Sequence, residues 1–107
     1  MIPDIAQHRD ELRELCRRFH VRRLDVFGSA ARQADFDPAR SDLDFLVEFD
    51  STAPGALSLK TYLGLKDALE TLFGREVDLI DRKAIETSRN YIRKRHVLAG
   101  VEPVYAA

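Results

Sequence analysis

The sequence has 107 residues, 45% of them apolar and 33% charged, with a formal net charge of −1. That size and apolar share are those of one soluble domain over residues 1–107, not of a disordered chain, and a charge so close to zero provides no global electrostatic footprint for nucleic acid. There is no membrane-spanning run or leader pattern, and the single Cys16 cannot form an internal disulfide, so a reducing, cytoplasmic setting is expected.

Helical spacing over residues 4–19 predicts a first helix, with Ile5, Leu12, Leu15, Cys16 and Phe19 on one face and Asp4 at its start. On that face Cys16 reads as a core thiol. His8 and His20 have no second ligand at metal spacing and read as surface or helix-end residues. Arg9, Arg13, Arg17, Arg18, Arg22 and Arg23 are interleaved with Asp10, Glu11 and Glu14, the pattern of a solvated face.

A strand follows over residues 22–27, and Gly28 breaks its apolar run. Ser29 then opens Ala30-Ala31-Arg32-Gln33-Ala34, a helix-forming run. A glycine permits close backbone approach, and a serine at a helix start leaves free amides that favour anions. Taken alone, the turn reads as an ordinary N-cap. Arg32, one turn on, reads equally as a triphosphate contact or as an exposed helix arginine. Phe36, in the polar loop beyond, is either a satellite core anchor or an exposed contact.

A second strand over residues 42–49 alternates Leu43, Phe45, Val47 and Phe49 with Asp42, Asp44, Leu46 and Glu48. Asp42 and Asp44 therefore share a face, their Cα atoms roughly 6.5–7 Å apart. Carboxylates this close repel unless a cation lies between them, and Mg²⁺, which takes one or two carboxylates together with substrate phosphates, is such a cation. An isolated Asp-x-Asp is more often a water-exposed pair beside a loop. A phosphate-binding turn shortly before it makes the combination far more specific.

Residues 50–55 form a loop by their turn residues, and residues 57–73 a helix with Tyr62, Leu65, Leu69, Leu72 and Phe73 on one face and Gly74 as its stop. Lys60 and Lys66 read as surface charges. A third strand over residues 75–80 carries Asp78 within an apolar run: either a buried carboxylate that completes a metal site or takes a proton, or an edge-strand residue facing water. Asp81 suits a helix N-cap. The last helix is expected over residues 82–98, with Ile85, Tyr91 and Ile92 as its seam and Gly100 as its stop. Its Arg89, Arg93, Lys94, Arg95 and His96 form a basic surface that suits a helix C-terminus or an acidic partner. Residues 101–105 read as an extended tail packed on the body or on a partner. The element order is α-β-α-β-α-β-α.

Gly28-Ser29, residues 30–41 and Asp42-Leu43-Asp44 resemble the signature of the minimal nucleotidyltransferase (MNT) family, a small branch of the polymerase-β-like nucleotidyltransferases. The spacer is about two residues longer than the family's usual one, with Arg32-Gln33 where the family often has Arg-Gly, which places a lengthened loop within residues 35–40. The resemblance implies an α/β (α+β) nucleotidyltransferase fold, a small mixed sheet flanked by helices, and it also supplies the strand pairing. It implies ATP as substrate with two Mg²⁺, catalytic and metal-binding roles for Asp42, Asp44 and the matching third carboxylate Asp78, and nucleotide binding by Gly28, Ser29 and Arg32. Family members of this size are commonly antitoxins of prokaryotes, paired with a HEPN-domain toxin whose tyrosine hydroxyl receives AMP. The implied partners are thus that toxin, as a hetero-oligomer, and ATP, with neither membrane nor nucleic acid as substrate. Two other readings stay open: a non-catalytic antitoxin that covers the toxin, and a transferase acting on a small-molecule hydroxyl. Against the latter, 107 residues provide no second domain for an acceptor pocket.

Overall fold

Apolar residues alternating along two neighbouring strands build the centre of the molecule. The computed structural model describes residues 3–27, 43–52, 58–87, 89, 95 and 100–106. Strand β1 (Val21–Phe27) pairs antiparallel with β2 (Leu43–Phe49), setting Leu24 opposite Val47 and Val26 opposite Phe45. Strand β3 (Val77–Asp81) lies parallel to β2, and β4 (Glu102–Ala106) lies antiparallel to β1. The sheet order is β3-β2-β1-β4, a mixed sheet as the resemblance implies.

Around it, in chain order, are α1 (Pro3–Gln7), α2 (Arg9–Arg18), α3 (Leu59–Phe73) and α4 (Arg82–Glu86). One sheet face supplies Leu24, Val26, Leu43, Phe45, Val47 and Leu79 to a core closed by Leu12 and Cys16 of α2 and Leu65 and Leu69 of α3. Val21 joins the same core although it lies three residues from Leu24. A register shift between Val21 and Arg23 supplies the extra residue, as a bulge does. Phe45 stacks on Phe73 with ring centroids 6.0 Å apart. On the opposite face, among the described residues, Ile85 of α4 packs on Leu46, with Phe27, Ile80 and Val101 around them.

Four expectations are corrected. The first helix is two helices, because His8 interrupts it and serves as the N-cap position of α2 (φ −105°, ψ 21°), its ring edge-on to Phe73 at 5.5 Å. Phe19 is the C-cap of α2 rather than part of the helix. The helix expected over residues 82–98 is interrupted: α4 ends at Glu86, where Thr87 caps it, and Arg95 is again helical. Most of the remainder, with Tyr91, Ile92, Arg93, Lys94 and His96, lies outside the described residues. The tail is a fourth strand, because β1 has a free edge and Val104 and Tyr105 pack against the core. Among the described residues no helix is long and apolar enough to cross a membrane.

Helix α3 has the two ends its sequence calls for. The Ser58 hydroxyl accepts from the Thr61 N–H at 3.1 Å, and Gly74, at φ 65°, donates its N–H to the Glu70 carbonyl at 2.8 Å. A Cβ at Gly74 would meet nothing, so backbone conformation alone penalises a side chain there. Gly74→Ala is therefore expected to destabilise by about 1 kcal/mol in urea unfolding, without effect on the core.

Candidate active site

Strand register assembles the site. Asp44, in β2, stands opposite Phe27 of β1 on one side and Asp78 of β3 on the other. Neighbouring strands lie about 4.8 Å apart, and in-register residues of paired strands point to one face. Asp44 and Asp78 thus form a side-by-side carboxylate pair on the sheet face opposite the main core. Two residues further along, α4 covers that same face through Ile85 on Leu46. Asp78 is exposed and sits on an edge strand, which settles its position as the solvent-facing one of the two weighed from sequence. It nevertheless lies beside Asp44, which is half-buried.

A cleft of about 360 Å³ opens here, lined by Asp44, Lys66, Glu70, Glu76, Val77 and Asp78. Lys66, expected to be a plain surface charge, is half-buried at this cleft and, among the described residues, is the one cation beside four carboxylates of the lining. The start of β3 is held from both sides. The Glu70 carboxylate of α3 accepts from the Val77 N–H at 3.2 Å, and the Leu43 N–H donates to the Glu76 carbonyl at 3.2 Å. One strand residue beyond Asp78, the Leu79 carbonyl accepts from the Tyr62 hydroxyl of α3. The backbone carrying Asp44 and Asp78 is therefore fixed before any ligand arrives.

Asp42, Gly28, Ser29 and Arg32 lie outside the described residues. Phe27, the last described residue before them, sits opposite Asp44. Among the described residues no three metal-ligating side chains come together. The donor set nonetheless fits a hard cation: oxygen ligands only, two of them adjacent carboxylates, in a cleft open enough for waters and phosphates.

Sequence reading passed over Asp25. It is fully buried, on the same sheet face as Asp44, and accepts from the Arg82 guanidinium at the start of α4 and from Arg23 Nε at 3.2 Å. Arg82 also lies 3.6 Å from Glu86. The available signal was an aspartate flanked by Leu24 and Val26, where a strand residue of that type is costly unless paired. Arg23, expected on the solvated face, is instead half-buried against this carboxylate.

Cys16 is buried as expected, and burial pushes its thiol up to about 12. It is thus no candidate nucleophile. Native protein at pH 8 is expected to resist iodoacetamide, with labelling appearing only when the protein is unfolded in urea, read by intact mass.

The nucleotidyltransferase domain family model matches residues 6–99. The protein adenylyltransferase MntA of Thermococcus cleftensis is 38% identical over 84 residues, 78% of this chain and 75% of that protein. A solved structure assigned as a minimal nucleotidyltransferase superposes with a TM-score of 0.69 at 32% identity, covering 92% of this chain and 90% of that one. A chain from the complex of a tri-AMPylated HEPN toxin of Shewanella oneidensis with MNT antitoxin superposes with a TM-score of 0.60 at 16% identity, covering 96% and 73%, a likeness of fold.

Proposed function

Since the chain belongs to the nucleotidyltransferase domain family, we propose that it transfers AMP from ATP to a tyrosine hydroxyl of a HEPN-domain toxin and so acts as an antitoxin. The observation that carries the reading is the Asp44–Asp78 pair, in register on one sheet face beside the strand that leads to Gly28-Ser29. The likeness to a relative named as a protein adenylyltransferase supports AMP as the group moved and a protein as the acceptor.

In this reading Asp42, Asp44 and Asp78 hold two Mg²⁺, which when bound neutralise the triphosphate and polarise the α-phosphorus. Gly28 and Ser29 cradle the phosphates with backbone amides, and Arg32 contacts them by its guanidinium. Asp78, the more exposed carboxylate, faces the incoming acceptor and takes the tyrosine proton. The tyrosine oxygen attacks in line, an O–P bond forms at the α-phosphorus, the bond to the β-phosphate oxygen breaks, and pyrophosphate leaves. Positioning and charge neutralisation account for most of the acceleration.

The test combines the protein, α-labelled ATP, Mg²⁺ and the HEPN-domain partner, followed by mass spectrometry of the partner. AMP on a partner tyrosine, lost with Asp42→Asn/Asp44→Asn, is the expected result. An unlabelled partner in a tight complex that survives the double substitution would overturn the catalytic reading and leave an antitoxin that acts by covering its target.

A further inference from the structure

The sheet edge opposite the acid cleft carries a second surface, and its charge has the other sign. Arg9, Arg13 and Arg17 recur every four residues on α2, so they form one line along the helix, and all three are exposed. With Val104, Tyr105 and Ala106 of β4 they line a groove of about 320 Å³. Arg17 and Tyr105 also line an adjoining space of about 460 Å³, together with His20, Arg22 and Asp50. The carboxylate in that lining, Asp50, is already engaged: it accepts from the Thr52 hydroxyl at 2.6 Å and the Thr52 N–H at 3.0 Å. The Arg17–Glu14 contact, 3.7 Å between side chains that are 64% and 73% exposed, leaves Arg17 largely available. A chain of net charge −1 thus concentrates cations along one edge.

That edge is also a strand edge. Among the described residues β4 pairs with β1 alone, so its outer backbone N–H and C=O groups have no strand beside them. Sheet edges of this kind accept an added strand unless something blunts them. Pro103, which lacks an N–H, blunts one part of β4, and Val104, Tyr105 and Ala106 beyond it are the residues that line the groove.

We propose that this groove docks an extended acidic segment of a partner polypeptide, laid along β4 as a fifth strand with its carboxylates on Arg13 and Arg17 of α2. Arginine suits the task because its planar fork meets a carboxylate with two parallel hydrogen bonds. A second copy of this chain does not fit. Antiparallel β4–β4 pairing about a two-fold axis keeps equivalent faces on the same side, which sets two arginine lines against each other. Single-stranded nucleic acid fits less well, because among the described residues Tyr105 is the one aromatic ring in the groove and successive bases need a series of them to stack on. The assignment is independent of the transfer reaction, and its test uses no nucleotide.

The probe is a fluorescein-labelled peptide of alternating Glu and Val, about ten residues long so as to span an edge strand, titrated by anisotropy. An alternating Lys-Val peptide and an oligouridylate serve as controls. The acidic peptide is expected to bind, to weaken with added salt, and to lose about tenfold or more in affinity with Arg13→Glu/Arg17→Glu. Arg13→Lys/Arg17→Lys is expected to keep most of the binding. Both residues are exposed, so folding should survive, and Arg13→Gln/Arg17→Gln provides a second comparison should the reversal unfold the chain. Hydrogen exchange is expected to slow at outward-facing amides of residues 104–106 when the peptide is present. Absence of acidic-peptide binding, equal binding by the reversed variant, preference for the oligouridylate, or unchanged exchange in β4 would each overturn the proposal.

Discussion

Asp44→Asn is expected to lower AMP transfer by about 10²–10³-fold, the scale on which loss of one charge-stabilising group acts at a reacting centre. The size follows from where Asp44 stands. It is the middle member of the row Phe27–Asp44–Asp78, in register with both neighbours. Among the described residues no other carboxylate of the cleft has that place: Glu70 is held by the Val77 N–H, and Glu76 is fixed at the edge through its backbone. Asparagine keeps the shape and removes the charge, so the core beneath, with Phe45 fully buried next to it, is untouched. The fold is expected to survive, because the substitution alters one half-buried polar group and leaves the apolar core as it is. Single-turnover transfer with labelled ATP, read together with thermal unfolding, checks both halves. A variant that loses transfer by unfolding would show a lowered midpoint, whereas the site reading requires lost transfer in protein that stays folded. Asp78→Asn, which removes the proposed proton acceptor, is expected to cost about 10²–10⁴-fold in the same assay.

The same row shows what sequence can and cannot reveal. Period-two alternation placed Asp44 on the face opposite Phe45 correctly, because β2 runs without interruption from Leu43 to Phe49. It could not say that Asp78 would stand beside Asp44, since parallel register depends on how α3 returns the chain to the sheet. Helix ends marked by chemistry were legible: Gly74 stops α3, and Asp81 caps α4 by accepting from the Lys83 N–H at 3.0 Å. Interruptions with no such marker were not. His8 is neither proline nor glycine, yet the helix divides there, and His20 takes a left-handed φ of 60° that its residue type does not announce. The fourth strand escaped notice because its partner is β1, some eighty residues earlier, and a short segment containing Pro103 resembles a tail until an edge is available to pair with it. Asp25 was missed for a related reason. A carboxylate within a strand reads as surface unless its cation is known, and that cation, Arg82, lies 57 residues away in sequence.

Asp25 is also where the largest loss of stability is expected. Its side chain is 0% exposed and that of Arg82 is 13% exposed, so the pair sits inside the protein where water screens it little. Removing one partner of such a pair leaves a charge that water no longer solvates, at a cost of about 3–5 kcal/mol. Asp25→Ala is therefore expected to lower the unfolding midpoint of a domain this size by about 15 °C or more. Arg23 makes the contrast: it reaches the same carboxylate at 3.1 Å but is 41% exposed, so Arg23→Ala is expected to cost less than about 1 kcal/mol. The decisive variant is the double replacement Asp25→Leu/Arg82→Leu, which removes both buried charges together and is expected to recover most of the loss, because a well-packed apolar pair often replaces a buried ion pair without penalty. Urea unfolding of the single and double variants measures the coupling between them. Equal destabilisation by Asp25→Ala and the double variant would show that the lost packing, and not the uncompensated Arg82 charge, sets the cost. Recovery would mean that the ion pair serves geometry more than stability. In the folded double variant, AMP transfer then tests that geometry: Asp25 lies two residues before Phe27 on β1, and Arg82 directly follows β3, so the pair ties the strand leading to Gly28-Ser29 to the strand bearing Asp78.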